Sequence, residues 1–100
     1  MLEKEIEQKL REQAEALGCL CLKFVSPGRA GVPDRIILAP HGRVIFVELK
    51  APGKKPREIQ LYVHQKFREL GFPVYVVDSP AQIQEVLRGI STSRISVFRC

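Results

Sequence analysis

Asp34, Glu48 and Lys50 are the residues whose types and spacing could do chemistry in this chain. Asp34 precedes an apolar run, Ile36 to Ala39. Glu48 and Lys50 follow a second, Val44 to Val47, and Pro40-His41-Gly42-Arg43 stands between the two runs. Strand-forming residues around a Gly-containing turn predict a β-hairpin. Antiparallel pairing would return Glu48 and Lys50 to the side of Asp34. Glu48 and Lys50 are one residue apart, so along a strand they share a face. Two converging carboxylates repel unless a cation lies between them, and carboxylates are rarely buried unless paired or metal-bound. Hard divalent cations such as Mg²⁺ or Mn²⁺ take carboxylate, water and phosphate oxygens. A lysine beside them can orient an attacking water or offset charge developing on a phosphate. The chemistry this suggests is metal-assisted phosphodiester hydrolysis. By residue type alone, Asp34 could equally end a turn while Glu48 and Lys50 form a cross-strand or solvated pair.

Several elements must position these groups. Residues 2–17 read as a helix, with Ile6, Leu10, Ala14 and Leu17 on one stripe and Gly18 as its stop. Glu3 projects within roughly 25° of the stripe centre and Glu7 roughly 65° from it. An inward carboxylate there is a candidate third acidic ligand, and a glutamate at a helix start also answers the helix dipole without further function. Residues 20–25 form a first strand. The loop Ser26-Pro27-Gly28-Arg29-Ala30-Gly31 leads from it into Pro33-Asp34. Arg29 and Arg35 could grip phosphates bidentately or be solvated surface, and Ser26 could contact phosphate or cap the loop.

Beyond the hairpin, Lys54, Lys55 and Arg57 make a basic segment, either a solvated loop or a phosphate contact. Pro56 suits the first turn of a second helix, which reaches about Leu70 with Ile59, Val63, Phe67 and Leu70 as its apolar stripe. Gln60 projects beside that stripe. His64 is expected to be exposed or half-buried and without general-base duty, since nothing in the sequence pairs it with an orienting partner. Val74–Val77 reads as a strand covered on both faces. Ser79 then caps a last short helix with Ile83, Val86 and Leu87 inward and Gly89 after it. Residues 94–98 could add an edge strand or form a loose tail. Helix, three strands, helix, strand, helix implies an α/β fold, a mixed sheet flanked by helices.

Composition sets bounds. One hundred residues fit a single domain, 1–100, and the 45% hydrophobic and 27% charged fractions are ordinary for a globular protein. A net charge of +5 favours a polyanionic partner without identifying it. No apolar run reaches the length of a membrane span and no secretory signal opens the chain, so a cytoplasmic protein is expected. Cys19, Cys21 and Cys100 form neither an even disulfide set nor a four-ligand zinc pattern, and the first two read as ordinary strand cysteines.

Pro33-Asp34, thirteen intervening residues and then Glu48-Leu49-Lys50 resembles the PD-(D/E)xK nuclease signature. Lys23-Phe24-Val25-Ser26-Pro27-Gly28-Arg29, Gly31-Val32-Pro33-Asp34-Arg35, Phe46-Val47-Glu48-Leu49-Lys50-Ala51-Pro52-Gly53 and Gln60 together resemble the small stand-alone VRR-NUC domains of phages and bacteria. The resemblance implies a restriction-endonuclease-like core of order αβββαβα. It implies a Mg²⁺- or Mn²⁺-dependent DNA endonuclease, with Asp34, Glu48, the Leu49 main-chain carbonyl and a first-helix glutamate as ligands, Glu3 ahead of Glu7. Lys50 would be catalytic and Gln60 would support the site. Arg29, Arg35, Ser26, Lys54, Lys55 and Arg57 would hold the nucleic-acid backbone. A homodimer cutting branched DNA, such as Holliday junctions or flaps, in a bacterial or phage-infected cell follows by analogy, with no membrane and no small-molecule cofactor. No base-reading device is evident, so sequence specificity is not expected. A catalytically silent DNA-binding module, an interaction domain with a salt-bridge network, or a nuclease acting on other nucleic-acid structures are the alternatives.

Overall fold

The centre of the sheet is the predicted hairpin. In the computed structural model, which describes the backbone of residues 1–97 and the side chains of residues 1–91, β2 (Arg35–Ala39) and β3 (Arg43–Leu49) pair antiparallel. Arg35 stands opposite Val47 and Ala39 opposite Arg43. The turn between them places His41 (φ 67°) and Gly42 (φ 76°) in the left-handed region, whose local twist suits a hairpin. β1 (Leu20–Lys23) adds antiparallel to β2, and β4 (Val74–Val77) adds parallel to β3, giving the order β1-β2-β3-β4. A parallel neighbour cannot be reached through a tight turn, and the helix α2 (Glu58–Glu69) lies in the crossover.

Side-chain alternation divides the sheet into two faces. Cys21, Ile37, Ile45, Val47, Leu49 and Val77 pack on one face against Ile6, Leu10 and Ala14 of α1 (Glu3–Ala16) and Ile83, Val86 and Ile90 of α3 (Pro80–Val97). Each buried aliphatic there contributes about 1.5–3 kcal/mol. On the α2 face, the Phe46 ring meets Phe67 at 4.7 Å, Phe24 at 5.4 Å and Phe72 at 5.9 Å between centroids. The fold is a mixed four-stranded sheet flanked by helices, in the expected order αβββαβα.

Local departures have physical reasons. β1 stops at Lys23, although the Phe24 N–H still donates to the Asp34 carbonyl at 2.7 Å. Pro56 lies just outside α2, where Arg57 is the N-cap residue. The inward face of that helix keeps half of the apolar stripe read from the sequence, Val63 and Phe67, the latter packed on Phe46. Ile59 and Leu70 are 45% and 77% exposed, while Gln60, Val63 and His64 are buried. α3 is not short and does not stop at Gly89. It runs to Val97, so residues 94–97 are helical rather than an edge strand, and residue 98 lies outside the described residues. Gly89 instead permits close approach, since a Cβ there would come within 2.9 Å of the Tyr75 hydroxyl. Among the described residues, no helix is long and apolar enough to cross a membrane.

Candidate active site

The hairpin register carries Asp34 to Glu48. With Arg35 opposite Val47, the next antiparallel position sets Asp34 across from Glu48, on the α2 face of the sheet. The Asp34 Oδ2 accepts a hydrogen bond from the Leu49 N–H at 2.9 Å, which sets its carboxyl close enough to Glu48 for each to perturb the other. Lys50 returns to the same spot, its Nζ 3.4 Å from Glu48 Oε2. The three residues singled out by spacing therefore meet.

The loop that delivers Asp34 is pinned from behind. Gly31 has φ +89°, and a Cβ added to it would lie 2.7 Å from the Ile59 carbonyl oxygen and 3.0 Å from Val63 Cγ2. Only glycine lets this loop lie so close to the start of α2. Gln60, at the third position of that helix, does two things at once. Its Oε1 accepts the Arg57 N–H at 2.9 Å, closing the helix start, and its Nε2 donates to Glu48 Oε2 at 2.8 Å.

His64, one turn further on, corrects the expectation of an exposed or half-buried ring. It is fully buried, with Nε2 3.5 Å from Glu48 Oε1. At that length the contact is electrostatic rather than a formed hydrogen bond. Both ring nitrogens and Glu48 Oε1 are buried without a hydrogen-bond partner. Sequence reasoning missed this residue because its i,i+4 spacing from Gln60 becomes informative only once Gln60 is known to point inward.

Surroundings drive the paired carboxyls apart. Burial raises Asp34 above the usual value of 3.8. The Leu49 N–H opposes that rise, and the Glu48 charge adds to it. Burial also works against ionisation of Glu48, but His64, Lys50 and Asp34 together outweigh it and hold Glu48 below its usual 4.5. A proton shared by the pair therefore resides on Asp34. A carboxyl whose ionisation is opposed by burial and by a facing carboxylate is a position a divalent cation could occupy. The buried Glu48 Oε1, with no hydrogen bond, is an oxygen free to serve. The donors are all oxygens, which suits Mg²⁺ or Mn²⁺. Among the described residues, no group of three or more His, Cys, Asp or Glu side chains could hold a metal by itself. Main-chain, water or phosphate oxygens would have to complete the shell.

The remaining predicted residues divide. Glu3, exposed on the first turn of α1, is near enough that its charge adds to the rise at Asp34. Glu7 is engaged elsewhere, with its Oε2 3.4 Å from Arg35 Nε and 3.6 Å from Arg11 Nε. Arg35 lies on the opposite face from Asp34 and also donates from Nη1 to the Asp34 carbonyl at 3.1 Å. It braces β2 to α1 rather than reaching out to a phosphate. The Ser26 carbonyl accepts the Arg29 N–H at 3.2 Å and closes a turn. Arg29, Lys54, Lys55 and Arg57 are exposed, as backbone-gripping residues must be, and Leu49 is buried.

No family model matches the chain. It is 49% identical over 77 residues to the "Putative nuclease p44" of Acyrthosiphon pisum secondary endosymbiont phage 1, a match spanning 77% of this chain and 83% of that protein. A solved structure described as a VRR_NUC domain superposes with a TM-score of 0.80 at 37% identity, covering 86% of this chain and 94% of that one. At these identities and coverages, the chain belongs to the VRR-NUC family of nuclease domains.

Proposed function

We propose that this domain is a Mg²⁺- or Mn²⁺-dependent endonuclease that hydrolyses phosphodiester bonds in branched DNA and works as a homodimer in the cytoplasm of a bacterial or phage-infected cell. The observation that carries the catalytic part is the convergence of three residues: the strand register and the 2.9 Å Leu49 N–H bond set Asp34 beside Glu48, with Lys50 Nζ 3.4 Å from Glu48. Asp34, Glu48, the Leu49 carbonyl and Glu3 would hold the ion. When bound, a divalent ion polarises the scissile phosphate and lowers the pKa of a coordinated water. Lys50 orients the attacking water and offsets charge that develops on the phosphate oxygens. Gln60 fixes Glu48 by holding its Oε2. Ser26, Arg29, Lys54, Lys55 and Arg57 hold the DNA backbone, and the net charge of +5 favours that contact. The preference for branched DNA and the homodimer rest on analogy with the family.

Nicking assays on flap, bubble, four-way-junction and linear DNA, with an RNA control, test this reading. Cleavage of the branched substrates with Mn²⁺, its loss in EDTA, and a dimer by sedimentation are expected. Binding without cleavage under every divalent ion would leave a silent DNA-binding module in its place.

A further inference from the structure

We propose that His64 is a positioning residue that fixes the orientation of the Glu48 carboxylate toward a bound divalent ion. This rests on the hydrolase reading above. Gln60 and His64 stand one helical turn apart on the inner face of α2, so both reach the same carboxylate, one at each oxygen. Gln60 and Lys50 both meet Oε2, which leaves the carboxylate plane free to swing about its last bond. A second contact at Oε1 removes that freedom and keeps the remaining lone pairs aimed at Asp34.

The burial of His64 is otherwise hard to explain. Its ring is 0% exposed and neither nitrogen has a hydrogen-bond partner. An apolar side chain of similar volume would suit that position better if packing were its sole purpose. The ring is placed to act on Glu48, since its Nε2 faces Glu48 Oε1 at 3.5 Å from the α2 side. It is thus a neighbour of the ligand rather than a ligand.

Mn²⁺ binding to the DNA-free full chain, followed by calorimetry, tests this alongside melting temperature without metal. His64→Met should fold with an unchanged or higher Tm and bind Mn²⁺ about 10–100-fold more weakly. His64→Gln, which can set an amide donor where Nε2 stood, should recover most of the affinity. Binding by His64→Met within twofold of wild type, or His64→Gln no better than His64→Met, would overturn the proposal. Failure of His64→Met to fold would assign the ring to the fold and overturn it equally. If the wild-type chain neither binds Mn²⁺ nor cuts DNA, the hydrolase reading fails and takes this with it. If the wild type does both and the variants match it, His64 alone is excluded.

Discussion

Asp34 and Glu48 are neighbouring carboxyls across the hairpin, and their opposite pKa displacements give opposite pH signatures. Asp34 is raised above 3.8, so its contribution to stability is present below pH 3.8 and is lost as pH rises through its folded value. Glu48 is lowered below 4.5, so its contribution is present above pH 4.5 and is lost as pH falls through its folded value. Protons compete with a divalent ion for a carboxyl whose pKa is raised, so apparent metal affinity should rise with pH until the folded value of Asp34 is passed. Calorimetry in two buffers of different ionisation enthalpy would detect the proton released, and Asp34→Asn should abolish that release together with cleavage. Lys50→Ala should lower the cleavage rate on the order of a hundredfold or more while circular dichroism and DNA binding stay near wild type. An unstable Lys50→Ala protein would favour a structural ion-pair network. Cys21 offers an independent check of the core. Burial, followed by the charge of Glu7, raises its thiol to about 11, so iodoacetamide at pH 8 should label it far more slowly in the native chain than in urea.

At the scale of elements, the hairpin was legible and the inner face of α2 was not. β2 and β3 carry runs of branched residues around a turn with Gly42, and strand pairing follows from those features. α2 misleads because its buried residues include Gln60 and His64 while Ile59 and Leu70 face solvent. Apolar periodicity finds Val63 and Phe67 but not the polar half of the inward face, Gln60 and His64. Gly89 misleads for a related reason, since glycine signals either a helix end or a close contact and only the position of Tyr75 decides which. That Arg35 holds Glu7 while Glu3 stays exposed was likewise invisible in the sequence, since it depends on where α1 packs against β2. Gly31 supports a prediction at this scale. Gly31→Ala combines a left-handed φ of +89° with a 2.7 Å clash against the Ile59 carbonyl. It should destabilise by about 2 kcal/mol or more in urea titrations. Cleavage should fall as well, because the loop that delivers Asp34 must move off α2.

For the molecule as a whole, charge and topology set the remaining expectations. A net charge of +5 and exposed Lys54, Lys55 and Arg57 predict DNA binding that weakens steeply with salt. Replacing these three by alanine should flatten the plot of log affinity against log salt by about 2–3 in slope, while melting temperature stays within experimental error. A slope unchanged by the triple substitution would mean that the backbone runs elsewhere. The left-handed pair His41 and Gly42 has a consequence far from its own position. The turn sets which residue of β2 faces which residue of β3, and a shift by one place would send Asp34 through to the α1 side while Glu48 stayed behind. A bulky branched side chain at Gly42, roughly 20 Å along the strand from Glu48, could therefore disarm the enzyme without touching any group that handles DNA. An inactivating allele at the hairpin tip would then be a fault of alignment rather than of chemistry.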